Sequence, residues 1–573
     1  MTKMKKALFT ILAAAALLTA CVDLDLTPRS QGSSENWYST EQELQLSLNA
    51  LYNPTLWNFE CNRFFHTDRY SDDWSQRTEL YDWLAGSVAD DWAKAKNEWA
   101  NDYKGIARAN TILNSLEKTK DELSDATVQL YSGEAKFFRA SFYTYLIFLF
   151  GDVPFYTDYI TLEEAYKMGR TDRYLILDQI YQDFDDAAAA LPVSYNGAQR
   201  VTKGAALAMK ARAALLMNDW KTCAAAAKAC MDLGVYSLHP DYRELFLSSC
   251  KTSPELIFAL PCSNELAKHS YGEAATRSFY PRNNGGTSVA QPSWELFFAY
   301  TCTDGKSVEE SPLYDPANPF ANRDPRLSEI TAPFDEEFMD YIYNPRPSAK
   351  QTLKVSTGTM VKNNDSRLNS KDCSYNGLIL KKYVDEEWID DRLTDTPQRI
   401  LRYADVLLMY AESKMELNEI DKSVFDALNS LRARAYKCGI NDTGKYPAIS
   451  ETSQKELRRI IRNERRCELA WENRRWSDLI RWRICEPCLT APIYGLPANA
   501  QIEKNEATGY WIWPKDFRPH MREDTTIDLS DIENYPDYYV INVKRAFNPR
   551  QYLFPIPQNE RVVCPMLTQN PGY

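Results

Sequence analysis

Two adjacent alanine-rich segments constrain the fold of this chain most strongly. Residues 203–217 and 220–233 carry apolar side chains at i, i+3, i+4 and i+7, the spacing of one helix face. Asn218 and Asp219 separate the two segments. Because alanines recur along both, two antiparallel helices can approach closely, as in the hairpins that stack into tetratricopeptide-type scaffolds. The sequence therefore predicts stacked helical hairpins.

Similar periodicity recurs along much of the chain. It predicts helices over 41–52, 88–118, 122–150, 172–190, 202–217, 219–232, 402–418, 422–436 and 453–482. Between them, and after the last, proline, glycine, asparagine and short extended runs dominate. We predict a mainly α fold in a single domain, 40–573, with a helical scaffold over about 40–232 and 402–482, an irregular lobe over about 233–400 and a loop-rich C-terminal part over 486–573.

The first twenty residues are typical of an export signal. Three lysines precede an apolar stretch that is too short to span a bilayer. Small residues then lead to Cys21, as in a lipobox, whose cysteine thiol receives a diacylglycerol. We predict a lipoprotein signal peptide over 1–20, lipidation of Cys21 and a tether over 21–39. The lipid would hold the mature domain at a membrane.

Charge and ligand-type residues exclude several function classes. The chain has 67 Lys and Arg against 79 Asp and Glu, a net charge of −12. Such a protein repels phosphate backbones, so nucleic acid is not expected as a partner. The four histidines lie far apart, and the thirteen cysteines lack the dense spacing of a disulfide scaffold. We expect no metal, no cofactor and no catalytic residue.

Several short segments resemble signature segments of the SusD/RagB family. They occur in family order over nearly the whole mature chain, which is more specific than any one match. They are residues 101–110, 134–140, 149–154, 200–206, 324–327, 402–408, 464–469, 475–482, 552–557 and 568–573.

The resemblance implies a mainly α-helical protein with tetratricopeptide-like hairpins and an irregular lobe. It also implies a cell-surface, lipid-anchored outer-membrane protein that is not an enzyme. Such a protein captures oligosaccharide or polysaccharide and delivers it to a SusC-like, TonB-dependent β-barrel transporter. Two alternatives remain: a peptide-capturing lipoprotein of the same family, and a surface glycosidase.

Three glutamates follow one another at i, i+4 spacing in the predicted helix 453–482: Glu464, Glu468 and Glu472. Like charges so placed repel one another on an isolated helix, so we expect cations to offset them. The candidates are Arg465, Arg466, Arg475 and Arg481 on the same segment, and Arg402, Arg432 and Arg434 on neighbouring helices. A catalytic carboxylate cluster is the alternative interpretation.

Two loops combine aromatic and polar residues without clean periodicity. Sugars present flat apolar faces and many hydroxyl groups, so a sugar site needs aromatic rings and directed hydrogen-bond partners. Packing between helices is the competing role for the tryptophans. We predict ligand contacts from the loop at 72–83, with Trp74, Arg77, Tyr81 and Trp83, and from the loop at 277–286, with Tyr280, Arg282 and Asn283.

Overall fold

Long helices occupy two separate stretches of the chain. The computed structural model describes residues 38, 40–57, 59, 67–76, 81–195, 199–266, 272–370, 373–390 and 392–573. Its α-helices are α1 (Glu41–Asn49), α2 (Ala93–Thr119), α3 (Asp125–Phe150), α4 (Leu162–Ala165), α5 (Arg173–Ala190), α6 (Lys203–Leu216), α7 (Trp220–Met231), α8 (Glu273–Thr276), α9 (Trp294–Ala299), α10 (Leu327–Ile330), α11 (Glu387–Asp390), α12 (Tyr403–Glu416), α13 (Lys422–Ala435), α14 (Gln454–Glu468), α15 (Arg475–Trp482), α16 (Cys485–Leu489), α17 (Asn499–Glu506) and α18 (Gln558–Val563).

Short strands lie mainly in the irregular lobe and the C-terminal part. They are β1 (Trp74–Gln76), β2 (Leu256–Leu260), β3 (Ala290–Pro292), β4 (Glu337–Phe338), β5 (Tyr341–Ile342), β6 (Gln351–Lys354), β7 (Thr359–Lys362), β8 (Gln398–Arg402), β9 (Pro492–Gly495), β10 (His520–Met521), β11 (Ile527–Asp528) and β12 (Val540–Lys544). Antiparallel pairs join β1 to β3, β2 to β8, β9 to β12 and β10 to β11, while β4 to β7 form a four-stranded meander. The predicted mainly α class is confirmed.

The alanine-rich hairpin forms as predicted. The Thr202 hydroxyl accepts a hydrogen bond from the Ala205 amide at the start of α6, and an Asp219 carboxylate oxygen accepts one from the Thr222 amide at the start of α7. Asn218 takes a left-handed conformation between them, with φ of 58°. The alanines lie in the buried faces of both helices, so their small side chains set the close approach.

Helices α2 and α3 also lie very close together. A Cβ atom added at Gly105 of α2 would lie 2.4 Å from the ring of Phe142 on α3. Nearly all side chains of the second half of α3 are buried, because α2, α5 and the C-terminal segment cover it. No helix within the described ranges is both long enough and apolar enough to cross a membrane.

The prediction of one helix over 453–482 is wrong. The helix ends at Glu468, and α15 begins at Arg475. Between them Trp471 and Asn473 both take a φ of 60°. The Asn473 side-chain oxygen accepts hydrogen bonds from the backbone amide and the hydroxyl of Thr67, at 3.0 and 3.1 Å. These contacts with a distant segment stabilise a break that the apolar periodicity does not reveal.

Buried side chains form two apolar cores. The first lies among the helices α1–α3, α5–α7 and α12–α15 and includes Phe554 and Ile556 of the C-terminal part. The second joins the irregular lobe to the C-terminal part, where Trp513 packs against Trp294 and Phe297 with ring centroids 5.7 and 4.8 Å away. The division of the chain at residues 39, 232, 400 and 486 stays a prediction.

Candidate functional site

A network of buried charges joins helices α12–α14 to the irregular lobe. Its centre is Glu468, which is fully buried. The Glu468 carboxylate accepts hydrogen bonds from Arg402 at 2.8 Å, from Arg326 at 3.0 Å and from Arg434. Burial alone would raise the pKa of Glu468, but these guanidinium groups outweigh it and hold that pKa far below its ordinary value.

The flanking glutamates are paired in the same way. Glu472 accepts hydrogen bonds from Arg402 at 2.7 Å and from Lys382 at 2.6 Å. Glu464 accepts them from Arg326 at 2.6 Å and from Arg432 at 2.9 Å. The prediction that cations from neighbouring helices offset the three glutamates is therefore confirmed. Arg326 completes the network, although sequence reasoning did not assign it there.

The expectation that arginines of the same segment offset these glutamates is wrong. Arg465 and Arg466 lie one and two positions after Glu464, so they point away from the glutamate row, and Arg475 and Arg481 lie on α15 beyond the break. The pairs are Arg465 with Asp478, Arg466 with Asp73, Arg475 with Asp72 and Arg481 with Glu412. Every carboxylate of the row is thus buried and held by cations, which is the geometry of a structural network rather than of an acid–base pair.

The β1–β3 ladder brings together the two loops that the sequence singles out. Trp74 lies opposite Pro292 and Gln76 lies opposite Ala290. The first loop, at 72–83, contains β1, and β3 begins four residues after the second loop, at 277–286, ends. The ladder therefore brings the two loops near each other, although about two hundred residues separate them in the chain.

The two tryptophans of the first loop are core residues. The Trp74 side chain is 2% exposed and stacks on Trp471 with centroids 4.6 Å apart. Trp83 is 0% exposed and packs against Trp92 at 5.9 Å and Phe554 at 5.6 Å. The expectation that these rings face a ligand is corrected, because burying their large apolar area stabilises the junction of helices and loops instead.

The second loop mainly supports the fold. Tyr280 is fully buried, so its ring is not available on the surface. Arg282 and Asn283 are partly exposed, but their backbone amides donate to the Asp365 carboxylate at 2.7 and 3.3 Å. Burial raises the pKa of Asp365 to about 6, although these two amides oppose the shift. The loop stays tight at Gly286, where an added Cβ would meet the Tyr280 carbonyl oxygen.

Tyr81 is the predicted aromatic ligand residue that remains partly exposed. The guanidinium carbon of Arg69 lies 5.3 Å from the centre of the Tyr81 ring and 5.3 Å from that of Trp74. This cation–π contact fixes the ring at the edge of the β1–β3 junction. The remaining predicted residue, Arg77, lies outside the described residues.

Three further segments border this junction. The Tyr375 hydroxyl contacts the Ser75 hydroxyl of β1, and the Tyr375 carbonyl accepts from the Leu496 amide at 2.9 Å. Gly495 of β9 pairs with Val540 of β12. The Ala546 amide donates to the Leu84 carbonyl at 2.7 Å. We call the region formed by residues 74–76, 81–86, 290–292, 375, 492–496 and 538–546 the loop face; most of its ladder residues are buried.

The loop face includes four partly exposed tyrosines from three separate parts of the chain. Tyr81, Tyr375, Tyr538 and Tyr539 are each partly exposed, and Val540 beside them is exposed. Sequence reasoning missed the last three tyrosines. The run Tyr-Pro-Asp-Tyr-Tyr at 535–539 mixes rings with proline and acid, as the two chosen loops do, and was the available signal.

The carboxylates beneath the loop face are not positioned for catalysis. Asp72 and Asp73 immediately precede β1, and both are fully buried. Asp72 accepts from Arg475 at 2.7 Å, and Asp73 accepts from Arg466 at 2.8 Å. Burial would raise the pKa of Asp72, but the charges of Arg466 and Arg475 outweigh it and lower that pKa. These acids therefore serve as anchors for the ladder.

Two family models match most of the chain between them. A model of the SusD family matches residues 254–573, and a model described as starch-binding and associating with the outer membrane matches residues 24–215. A SusD-like protein of Formosa agariphila is 26% identical over 491 residues, which cover 80% of this chain and 86% of that protein. A second SusD-like protein of the same organism is 24% identical and covers 91% and 97%.

Solved structures share the architecture over almost the full length. The crystal structure of a SusD-like carbohydrate binding protein from Bacteroides fragilis has a TM-score of 0.75 at 27% identity and covers 93% of this chain and 99% of that chain. The surface glycan-binding protein A from Bacteroides fluxus has a TM-score of 0.61 at 19% identity and covers 93% and 100%. The second likeness concerns the fold alone.

Proposed function

This chain belongs to the SusD family, and on that premise we propose that it captures a glycan on the loop face. We further propose that it is anchored to the outer membrane through Cys21, is exposed at the cell surface and delivers the glycan to a SusC-like, TonB-dependent transporter. The observation that supports the capture proposal is the set of partly exposed tyrosines on the distant segments that border the β1–β3 and β9–β12 ladders.

Tyrosines suit the surface of a neutral sugar. Each ring offers apolar area to the flat face of a pyranose, and each hydroxyl group can donate or accept a hydrogen bond. The rings are also held in place before any ligand arrives. Tyr375 contacts Ser75 and lies against Gly495, while Tyr539 packs edge-on against Tyr494 at 5.6 Å. Such preorganisation reduces the entropy that binding has to overcome.

The acids next to the β1–β3 ladder support a proposal of glycan binding without hydrolysis. Glycoside hydrolysis needs two carboxyl groups that both reach the scissile bond. The acids next to the ladder, Asp72 and Asp73, are buried and paired with arginines. The proposal therefore assigns the loop face to binding and assigns no catalytic residue to it.

Calorimetric titration tests the capture step. The purified chain is titrated with plant, host and microbial oligosaccharides and with a set of peptides, and each mixture is then analysed for cleavage products. We expect saturable binding of one glycan class without product. Tyr81→Ala and Tyr539→Ala should each weaken binding about tenfold, since a lost ring contact of about 1.4 kcal/mol has that effect. Tyr159→Ala, an exposed tyrosine beside the helical scaffold, is the matched control.

Each outcome separates the alternatives. Binding of peptides but not of glycans would show that the chain captures peptides, and the appearance of cleaved glycan would show that it is an enzyme. Glycan binding that both loop-face variants leave unchanged would show that the glycan site lies outside the loop face.

Affinity purification tests the partner. Purification of the chain from detergent-solubilised outer membranes should retain a TonB-dependent transporter. Its consistent absence under mild detergent would contradict the delivery step.

A further inference from the structure

A second concave site lies among helix ends, apart from the loop face. The first residues of α5, the turn after α6 and the end of α15 meet residues 552–553 around a cleft of about 210 Å³. Phe148, Leu216 and Ile480 contribute apolar side chains to a lining that is otherwise largely polar. We call it the arginine cleft, because Arg173 and Arg483 stand at its walls.

Two of the three arginines that line the cleft lie on tyrosine rings. The guanidinium carbon of Arg173 is 5.2 Å from the centre of the Tyr174 ring, and that of Arg483 is 4.1 Å from the centre of the Tyr552 ring. Within the described part of the chain neither guanidinium forms an ion pair with a carboxylate. Arg481 in the same wall differs, because its guanidinium is saturated by Glu412 and Asp478.

Carboxylates near the cleft are engaged with other donors. Asp152 accepts from the backbone amide of Arg173 at 3.1 Å, and Asp172 accepts from the backbone amide of Tyr174 at 2.7 Å. Glu486 accepts from the Tyr552 hydroxyl. Among the described residues no carboxylate lies within ion-pair distance of the Arg173 or Arg483 guanidinium, in a chain whose net charge is −12.

We propose that the arginine cleft binds the carboxylate of an acidic sugar, a uronate unit of a glycan. Guanidinium groups match a carboxylate through paired N–H···O bonds, and they are weakly hydrated enough to do so at a partly buried site. Tyr174, which is 54% exposed, offers a ring face beside the charge. The preference for an anion rests on the arginines, and the choice of a sugar rests on the proposed function.

Ligand-observed NMR titration tests the cleft with defined probes. D-glucuronate and D-galacturonate are compared with D-glucose and D-galactose at low salt, on the purified full chain. We expect the uronates to bind at least about tenfold more tightly than the neutral sugars. Arg173→Gln and Arg483→Gln should each remove most of that preference, while Arg173→Lys should retain part of it. Arg459→Gln, a partly exposed arginine on α14 that does not line the cleft, is the control.

Several results would overturn the proposal. Equal affinity for uronate and neutral sugar would do so, and so would a uronate preference that both glutamine variants retain. Acetate or sulfate bound as tightly as the uronates would show a site for a simple anion. Loss of thermal stability in Arg483→Gln with unchanged uronate binding would show that this arginine only stabilises the end of α15. Neutral-glycan binding at the loop face, tested with Tyr81→Ala, is a separate readout, so the two proposals can fail independently.

Discussion

Replacing Glu468 by glutamine tests whether the buried charge network holds the helices to the irregular lobe. Glutamine keeps the size of the side chain and removes its charge. The Glu468 carboxylate is fully buried and faces three guanidinium groups, so the variant leaves their combined charge short of one anion. Breaking a buried ion pair from one side costs about 3–5 kcal/mol.

The three arginines keep other carboxylate partners in the variant, so we expect a loss of unfolding free energy at the lower end of that range. Arg402 keeps Glu472 and Glu255 as partners. Arg326 keeps Asp324 and Glu464, and Arg434 keeps Glu255. No guanidinium is therefore left without an anion. We expect Glu468→Gln to lower the free energy of unfolding by about 3 kcal/mol at pH 7.

Urea unfolding followed by tryptophan fluorescence and by circular dichroism measures this loss. The pH dependence has a definite sign. Folding lowers the pKa of Glu468, so its contribution is complete above the pKa of the unfolded chain and declines as the pH falls from there towards the folded pKa. The difference between wild type and Glu468→Gln should therefore stay constant from pH 8 to pH 6 and shrink below about pH 4.5.

A matched control comes from an exposed pair. Asp426 on α13 forms an ion pair with Lys422 at 2.6 Å, and both side chains are at least half exposed. Asp426→Asn should change the free energy of unfolding by less than about 1 kcal/mol. If Glu468→Gln costs no more than this control, or if its cost does not change at acidic pH, the network does not stabilise the fold as described.

Three further predictions concern the core, the second loop and the anchor. Trp74→Ala should lower the free energy of unfolding by about 3–5 kcal/mol in the same urea assay, because it empties the stack on Trp471; a change under 1 kcal/mol would mean that the ring is not core. Burial raises the pKa of Asp365 from 3.8 to about 6, so wild type should gain up to about 3 kcal/mol relative to Asp365→Asn as the pH falls from 7 to 4; a constant difference would contradict this. Cys21→Ala should release the chain from membranes in fractionation, and retention without the transporter would refute the lipid anchor.

Local patterns in the sequence determined the helical scaffold. Apolar residues at helical spacing and small alanines at the seam predicted the α6–α7 hairpin nearly to the residue. These signals suffice because a helix satisfies its own backbone hydrogen bonds and needs only one apolar face to pack. The row of like charges at Glu464, Glu468 and Glu472 likewise required cations, whatever their source.

Only the tertiary structure decided the partners and the exposed surface. Arg402 reaches Glu468 from the end of β8, Arg434 reaches it from α13, and Arg326 reaches it from the irregular lobe. Trp74 and Tyr81 lie in one loop, yet the first is buried against Trp471 and the second is partly exposed. The residue types of a loop do not show which of two such rings is buried, because burial depends on which distant segments pack against each side chain.

The composition of the loop face could not be predicted from the sequence either. Its tyrosines come from residues 81, 375, 538 and 539, and no spacing in the sequence relates them. The sequence alone determined that such a chain folds as helical hairpins with an aromatic-rich, loop-rich remainder. The antiparallel pairing of β1 with β3 and of β9 with β12 decided which rings meet on one surface. Long-range strand pairing has no local signal, since it depends on side chains that meet only after the chain has folded.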